Sequence, residues 1–230
     1  MEPNVAIIIP ALNEAAAIAT VIQAITWPEG RRVIVVDNGS TDATAMVAQN
    51  AGATVIPQPL RGYGNACFAG VQAAVSADVL VFLDGDGSFD PAEIRRVVEP
   101  ILNGSADLVV GSRALNGVNA SLLPHQRLGN RLVSGLIRRL YHIQVTDIGP
   151  FRAIRRTTLE SLGMTERTYG WTTEMLVKAA RRHVRIVEVP ISYRDRLGGE
   201  SKVSGTLRGT ILTAYRMLSL TLRHAWGRRA

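Results

Sequence analysis

The sequence predicts an α/β fold in which helices cover both faces of a largely parallel sheet. Short apolar segments rich in β-branched residues alternate with segments of helical periodicity through the first half of the chain. These apolar segments are almost wholly hydrophobic, which is typical of strands buried on both faces. Polar clusters directly follow three of them, and ligands of such sheets bind beyond the carboxyl ends of the strands. The sequence therefore predicts a site at one edge of the sheet.

The elements follow from these patterns in chain order. Seven strands are predicted from short apolar segments: Val5–Pro10, Val33–Asp37, Ala53–Pro57, Val79–Leu83, Leu108–Gly111, Phe151–Ile154 and Arg185–Pro190. Eight helices are predicted from apolar residues three and four positions apart: Glu14–Ile25, Thr41–Asn50, Gly64–Ser76, Pro91–Leu102, Arg127–Tyr141, Thr157–Leu162, Trp171–Arg182 and Gly205–Trp226. Asn13 is suited to cap the first helix, and Pro91 lies in the first turn of the fourth.

Length and composition indicate one globular unit. A chain of 230 residues with 47% apolar residues is long enough for one substantial core. Its single cysteine, Cys67, excludes an internal disulfide framework and fits a reducing compartment. The start, residues 1–4, shows no basic region followed by an apolar stretch, so no secretory signal is expected.

Charge is divided unevenly along the chain, whose formal net charge is +7. Residues 1–112 contain 5 Lys and Arg against 12 Asp and Glu, whereas residues 113–230 contain 21 against 7. A basic half indicates a phosphate-bearing partner such as nucleic acid, an anionic lipid or a small phosphorylated molecule. The acidic half and the lack of a stripe of stacking aromatic residues argue against nucleic acid and favour a bound cation.

The last predicted helix, Gly205–Trp226, is amphipathic. Arg208, Arg216 and Arg223 interrupt its apolar residues, which is too much charge for a transmembrane span. Their spacing of eight and seven places them on one helical face. Such a helix either lies in a membrane interface or packs on the domain, and the sequence leaves both interpretations open.

An acidic cluster, Asp84-Gly85-Asp86-Gly87, follows the fourth predicted strand. Two carboxylates one residue apart repel each other, and a hard divalent cation removes that cost. Mg²⁺ or Mn²⁺ would fill its remaining positions with the phosphates of a substrate. The competing interpretation is an acidic turn, since Asp-Gly pairs are common turn formers.

Two further polar clusters lie at strand ends. Asp37 directly follows the second strand and is suited to accept hydrogen bonds from a base or ribose, whereas Ser40, Thr41 and Asp42 are equally suited to capping the next helix. Glu14 shows the same ambiguity, because an acidic residue in a first helical turn is favourable by itself. The loop Arg61–Asn65 contains only two glycines and is a weak signal for phosphate binding.

Taken together, these motifs resemble the ordered signature of family 2 glycosyltransferases, which have the GT-A (Rossmann-like) fold of nucleotide-diphospho-sugar transferases. The closer resemblance is to dolichol-phosphate mannose synthases and related polyprenyl-phosphate sugar transferases. The matching segments span nearly the whole chain: Ile8–Glu14, Val35–Asp42, Asp84–Gly87, Gly111–Arg113, Asp147–Ala153 and Gly198–Lys202. The resemblance implies a single domain, 1–230, with a nucleotide- and metal-binding half (1–112), an acceptor-binding half (113–204) and the C-terminal helix (205–230).

The resemblance also implies roles for individual residues. The nucleotide of a GDP-mannose or UDP-sugar donor would contact Pro10, Leu12, Glu14, Asp37, Gly64, Asp84 and Gly85. A Mg²⁺ or Mn²⁺ ion would be held by Asp86, with Asp84 and Ser88 beside it. Phosphates of donor or acceptor would be held by Arg113, Arg127, Arg152 and Lys202. The implied catalytic residues are Asp84, Asp86, Asp147 and Glu174, the last two as candidate bases for a hydroxyl acceptor.

Two departures separate this chain from its relatives. Ser88 stands where they usually have Gln or a similar side chain, and a hydroxyl is a less reliable metal ligand. Gly149-Pro150-Phe151-Arg152 replaces their Ser-Gly-Phe-Arg. Many relatives also carry long C-terminal transmembrane segments, whereas this sequence predicts a cytoplasmic protein held peripherally on the inner face of the cell membrane.

The implied reaction is an inverting transfer of a hexose from the nucleotide donor to a polyprenyl- or dolichyl-phosphate acceptor. Such a phosphate is already an anionic nucleophile, so it needs no strong base. A family 2 enzyme acting on a small phosphorylated or hydroxyl acceptor is the first alternative. A metal-dependent nucleotidyltransferase is the second, and the lack of a glycine-rich, lysine-bearing loop after the first strand argues against it.

Overall fold

A seven-stranded sheet forms the centre of the computed structural model, which describes residues 3–26, 32–115, 124–198 and 207–226. Its strands are β1 Val5–Ala11, β2 Arg32–Asp37, β3 Thr54–Pro57, β4 Val79–Phe82, β5 Leu108–Ser112, β6 Arg152–Arg155 and β7 Ile186–Pro190. All seven predicted strands are therefore confirmed, and no boundary is shifted by more than one residue.

The strand order is β3-β2-β1-β4-β6-β5-β7. β6 runs antiparallel to both β4 and β5, and the remaining pairs are parallel. The prediction of a largely parallel sheet is thus confirmed. Because β6 is reversed, its beginning lies at the same edge as the carboxyl ends of its neighbours. The segment before β6 therefore joins the loops that follow β1, β2, β4 and β5 at one edge.

Helices cover both faces, as predicted: α1 Ile18–Gln23, α2 Thr44–Asn50, α3 Tyr63–Ala73, α4 Ile94–Leu102, α5 Pro124–Tyr141, α6 Arg156–Leu162, α7 Trp171–Arg181 and α8 Leu207–Trp226. A short 3-10 turn, Pro91–Glu93, leads into α4. α1, α2 and α4 pack on one face of the sheet, and α3, α5, α6 and α7 pack on the other. Alternate residues of β1 divide between the two cores, because successive side chains of a strand point to opposite faces.

The first helix begins later than its sequence pattern predicts, so the proposed capping role of Asn13 is wrong. α1 starts at Ile18 and its N-cap is Ala17. Asn13 instead has a positive φ of 52°, in the left-handed region that Asn tolerates. Its backbone N–H donates to Ser40 Oγ (3.0 Å), and the Glu14 N–H donates to Thr44 Oγ1 (2.8 Å). Side chains from the loop after β2 therefore satisfy backbone groups that the prediction assigned to a helix.

The C-terminal helix α8 packs on the domain, which is one of the two interpretations left open by the sequence. Leu220 and Thr221 are buried. Tyr141 Oη at the end of α5 donates to Thr221 O (2.6 Å), and Arg181 Nη1 of α7 donates to His224 O (2.7 Å). Within the described residues, none of the helices combines the length and apolar character needed to cross a membrane.

Gly70 sets the distance between α3 and the sheet. A Cβ at this position would lie 2.3 Å from Ile8 Cγ2 of β1 and 3.2 Å from Val36 Cγ2 of β2. Both neighbours are branched side chains in a close-packed core, which cannot move away cheaply. Only glycine allows α3 to approach the two strands whose ends carry polar loops.

We expect Gly70→Ala to lower the free energy of unfolding by about 1–3 kcal/mol, the usual cost of overpacking a core. Gly129→Ala in α5 is the matched control, since nothing lies within 4 Å of the added methyl group there. That control should be neutral or stabilising by up to about 1 kcal/mol, because Ala is the better helix former. Urea denaturation of both variants measures the difference, and equal stability of the two would contradict this account of the packing.

Candidate active site

The polar loops predicted to meet at the carboxyl edge of the sheet are brought together by strand register. Ala11 at the end of β1 lies beside Asp37 at the end of β2, and Ile8 lies beside Phe82 at the end of β4. Thr41 N donates to Asn13 Oδ1 (2.8 Å), which ties the first two loops to each other. The three sequence clusters therefore form one site, as the strand-end rule predicts.

The loop after β4 presents two carboxylates. Asp86 is buried, and its Oδ1 accepts hydrogen bonds from Ser88 N (2.9 Å) and Ser88 Oγ (2.6 Å). Asp84 is half-buried. Burial and the neighbouring Asp86 carboxylate raise the pKa of Asp84 to about 7, although Arg196 and Arg113 act in the opposite direction. A negative charge on Asp84 is therefore costly unless further positive charge is brought to it.

The oxygen atoms of Asp84, Asp86 and Ser88 suit a hard divalent cation that also binds the phosphates of a substrate. Carboxylate and hydroxyl oxygens are ligands for Mg²⁺ and Mn²⁺. Among the described residues, no group of three or more His, Cys, Asp or Glu side chains is placed to hold a metal ion. A cation at Asp84 and Asp86 would thus take several ligands from water or from the phosphates of a bound molecule.

Arg196 is the site residue that the sequence did not reveal. Its Nη2 lies 2.8 Å from Glu14 Oε1 and 3.2 Å from Asp86 Oδ2, so one guanidinium contacts two carboxylates from different loops. Arg196 is 182 positions from Glu14, and no local pattern marks the pair. The only available signal was the closeness of residues 194–196 to the glycine-rich segment that follows.

The segment that carries Arg196 runs along the acidic loop. Leu197 N donates to Asp86 O (3.0 Å), and Arg194 N donates to Ser88 O (2.9 Å). Gly87 has a φ of +75°, and a Cβ there would lie 2.5 Å from Leu197 Cδ1. The glycine in the acidic motif therefore serves the close approach of this segment as well as the turn itself.

Arg113 and Asp147 form a bidentate pair near this loop. Arg113 Nε and Nη2 each lie 2.7 Å from an oxygen of Asp147, and the Arg113 backbone N–H donates to the same carboxylate at 2.9 Å. Burial alone would raise the pKa of Asp147, but the charge and hydrogen bonds of Arg113 hold that pKa below its usual range. A carboxylate held in this state positions a guanidinium well and is a poor proton acceptor.

The residues predicted to contact the nucleotide fall into two groups. Asp37 lies at the open edge, where its Oδ1 accepts a hydrogen bond from Ser40 N (3.0 Å), and Pro10 and Leu12 are partly exposed beside it. Gly64 and Gly85 are packed by the protein itself. A Cβ on Gly64 would meet Glu166 O at 2.5 Å, and one on Gly85 would meet Ile18 Cδ1 at 3.1 Å. Their small size is explained by this packing.

Asn38 is a second residue whose role the sequence did not reveal. Its Nδ2 donates to Gln58 O (2.9 Å) and Leu60 O (2.8 Å), and its Oδ1 accepts from Gly62 N (2.7 Å). The side chain thus fixes the loop between β3 and α3 against the end of β2.

Arg152, predicted to hold a phosphate, is fully buried in the structure. Its guanidinium donates to Thr172 O (2.9 Å) and to Gly149 O, and burial lowers its pKa to about 10. These donors are directed at carbonyl groups of the protein, so we correct the prediction and assign Arg152 a structural role beneath the site.

Glu174, predicted to act near the acceptor, is also engaged inside the protein. Its carboxylate accepts hydrogen bonds from Thr165 Oγ1 (2.5 Å) and Glu166 N (2.7 Å) and pairs with Lys178 Nζ (2.8 Å). Burial alone would raise the pKa of Glu174, but these hydrogen bonds lower it. It anchors the loop before α7 and is unsuited to act as a base, which corrects the prediction.

The remaining two predicted phosphate ligands are Arg127 and Lys202. Arg127 of α5 lines a pocket of about 240 Å³ together with Arg131 and Arg138, next to Thr146. Thr146 directly precedes Asp147, so this pocket adjoins the Arg113–Asp147 pair. Lys202 lies outside the described residues.

Comparison with known proteins agrees with this geometry. Residues 6–163 match the family model described as glycosyl transferase family 2. An uncharacterized glycosyltransferase of Mycobacterium tuberculosis is 43% identical over 209 residues, which are 90% of this chain and 93% of that protein. A dolichyl-phosphate hexose transferase of Haloferax volcanii is 36% identical over 209 residues, with 87% of this chain and 86% of that protein covered.

A solved structure shows the same fold. The glucosyl-3-phosphoglycerate synthase of Mycobacterium tuberculosis, in complex with Mn²⁺, UDP-glucose and phosphoglyceric acid, superposes with a TM-score of 0.77 at 25% identity. The alignment covers 99% of this chain and 81% of that one. With the family model, the relatives and the acidic site in agreement, the chain belongs to glycosyltransferase family 2 and has the GT-A fold.

Proposed function

We propose that this glycosyltransferase moves a hexose from a nucleotide-diphosphate sugar to a polyprenyl-phosphate acceptor. The observation that carries the proposal is the acidic pair Asp84 and Asp86, placed at the sheet edge beside the Arg113–Asp147 pair. Acidic groups suited to a cation and basic groups suited to phosphates lie side by side, as transfer between two phosphates requires.

The donor would bind across the ends of β1, β2 and β4. Asp37 is available to the nucleoside, and Asp84, Asp86 and Ser88 would hold Mg²⁺ or Mn²⁺ with the diphosphate. Such a cation would offset the charge that develops on the departing nucleoside diphosphate. The UDP-glucose and Mn²⁺ bound in the solved relative support this arrangement.

The acceptor side favours a nucleophile that is already ionised. Asp147 and Glu174 have lowered pKa values and hydrogen-bonded carboxylates, so neither is suited to take a proton from a hydroxyl. A phosphate oxygen needs no such base. It would attack the anomeric carbon as the bond from that carbon to the diphosphate oxygen breaks, and the electron pair would leave with the nucleoside diphosphate. The name of the Haloferax volcanii relative supports this acceptor class.

A small phosphorylated acceptor is the second candidate. It is favoured by the phosphoglyceric acid bound in the solved relative, whose chain is matched over 81% of its length. Both candidates require a basic region next to the acidic loop, but attack by a hydroxyl of a small acceptor would also require a base.

An acceptor competition distinguishes the two. The protein would be supplied with Mn²⁺, labelled GDP-mannose or UDP-glucose, and either undecaprenyl phosphate in detergent or 3-phosphoglycerate. We expect label to enter the organic phase with the lipid acceptor. Label found only in a water-soluble phosphorylated product would replace the first candidate with the second.

We expect Asp86→Asn to reduce transfer by at least about 100-fold, the scale seen when a group that stabilises developing charge is removed. The matched control is Asp90→Asn in the same loop, because Asn can retain the capping contact that Asp90 makes with Ala92 N. Steady-state turnover of the sugar nucleotide measures both variants. Full activity of Asp86→Asn would remove this residue from the site.

The raised pKa of Asp84 predicts a pH-dependent cost to stability. Its folded-state value of about 7 lies above the unfolded value of about 3.9. Ionisation therefore destabilises the fold increasingly as the pH rises from about 4 through 7. In the presence of a chelator, Asp84→Asn should raise Tm at pH 8 by more than about 2 °C and have little effect at pH 4. Differential scanning fluorimetry tests this, and an equal effect at both pH values would contradict the assignment.

A further inference from the structure

Helix α5 exposes an apolar strip that no described part of the chain covers. Leu128 and Leu132 lie one turn apart and are 58% and 57% exposed. Arg139 lies a further seven residues along and so continues the same face. The opposite side of the helix carries Val133 and Ile137, which are fully buried in the core. Because Val133 and Ile137 face the core, Leu128 and Leu132 face away from it.

A row of arginines lies between this strip and the core. Arg127, Arg131 and Arg138 are spaced by four and seven residues, share one helical face, and line the pocket of about 240 Å³. Asn130 and Ser134 add polar groups to the same wall. Within the described residues, Arg131 and Arg138 make no ion pair or side-chain hydrogen bond, so their guanidinium groups remain available to an anion.

The two adjoining helices also hold the entire charge excess of the chain. α5 and α8 contain seven of the 26 Lys and Arg residues and none of the 19 Asp and Glu residues. The rest of the chain has 19 of each sign and is neutral. α5 and α8 are joined by the hydrogen bond from Tyr141 to Thr221, so the two basic helices adjoin each other, and Arg216 of α8 also pairs with Glu166 (3.5 Å).

We propose that this surface, Leu128 and Leu132 with Arg131, Arg138 and Arg139, docks on an anionic lipid membrane. Leucines beside arginines are typical of helices that lie in the interface, with apolar side chains in the acyl boundary and cations at the phosphates. An acidic protein surface would pair with the arginines, but it would not explain why Leu128 and Leu132 are exposed beside them. The arginine-lined pocket on the neighbouring face of α5 suits a lipid phosphate, for which Arg provides paired donors.

The inference deepens the proposed function, because the docked face continues through Thr146 to the Arg113–Asp147 pair. Docking itself needs neither donor nor turnover. Only its biological purpose, which is access to a lipid acceptor, rests on the proposed function. The sequence had assigned possible membrane contact to the C-terminal helix. The surface proposed here lies on α5, against which α8 packs.

Vesicle co-sedimentation of the full chain tests the proposal. We expect binding to phosphatidylcholine vesicles that contain phosphatidylglycerol, little binding to pure phosphatidylcholine, and loss of binding as salt rises to about 1 M, where charges are screened within about 3 Å. Equal partitioning onto both vesicle types, or no partitioning onto either, would overturn the proposal.

Paired variants locate the surface. Leu128→Ser with Leu132→Ser should weaken partitioning by about tenfold or more, whereas Met46→Ser with Leu102→Ser should not. The control residues are 60% and 43% exposed and lie on α2 and α4, across the sheet from α5. Circular dichroism would confirm that each variant is folded. Equal losses in both pairs would refute the assignment to α5.

Substitutions of arginine test the electrostatic contribution to vesicle binding. Arg131→Gln with Arg138→Gln should weaken binding about tenfold, while Arg32→Gln with Arg95→Gln removes the same charge elsewhere and should have a smaller effect. Binding of UDP or GDP with Mn²⁺, measured on the same preparations, separates the two hypotheses. Donor binding without vesicle binding overturns the docking surface alone, and vesicle binding without donor binding upholds it while overturning the proposed function.

Discussion

Glu14, Asp84 and Asp86 bring three carboxyl groups to one end of the sheet, and their repulsion must be offset by positive charge. Arg196 provides part of this compensation through its contacts with Glu14 and Asp86. Burial and the neighbouring carboxylates raise the pKa of Asp84 by more than Arg196 and Arg113 lower it. Much of the surrounding structure serves this cluster. The register of the strands sets its position, Gly87 admits the segment that carries Arg196, and the pairing of Arg113 with Asp147 places a further cation nearby.

Acidic and basic residues are also separated along the chain as a whole. The acidic half of the chain supplies the cluster, and the basic half supplies the groups that face it. Two kinds of basic residue can be separated by their contacts. Arg113 and Arg152 are bonded inside the protein, whereas Arg131 and Arg138 face outward from a helix pair that holds all of the net charge. Buried cations organise the site, and exposed ones determine which surface of the protein meets anionic partners.

The sequence was sufficient to predict the fold and the position of the site. Apolar strand segments and polar strand ends are local patterns, and Asp37, Asp84 and Asp86 stand at those ends as expected. It was not sufficient where a residue's role depends on a distant partner. Asn13 looks like a helix cap until the side chain of Ser40 from another loop reaches it.

Long-range contacts also explain the other misjudged residues. Arg152 resembles a phosphate ligand in sequence, but the carbonyl of Thr172 lies beside its guanidinium. Glu174 resembles a base, but the loop at Thr165 folds over it. Apart from its closeness to the glycine-rich segment that follows, Arg196 carries no signal in sequence, because its role depends on a contact with Glu14, far away in the chain. Motifs identify which residue types are present, whereas burial and pairing decide what each one does.

Isothermal titration calorimetry with UDP and GDP, each with and without Mn²⁺, tests the central claim most directly. If the acidic cluster holds a cation together with a nucleotide diphosphate, one of the two nucleotides will bind tightly and only when Mn²⁺ is present. That result would also identify the donor class. Absence of binding by either nucleotide in the presence of Mn²⁺ would contradict the assignment of the acidic loop as the donor site.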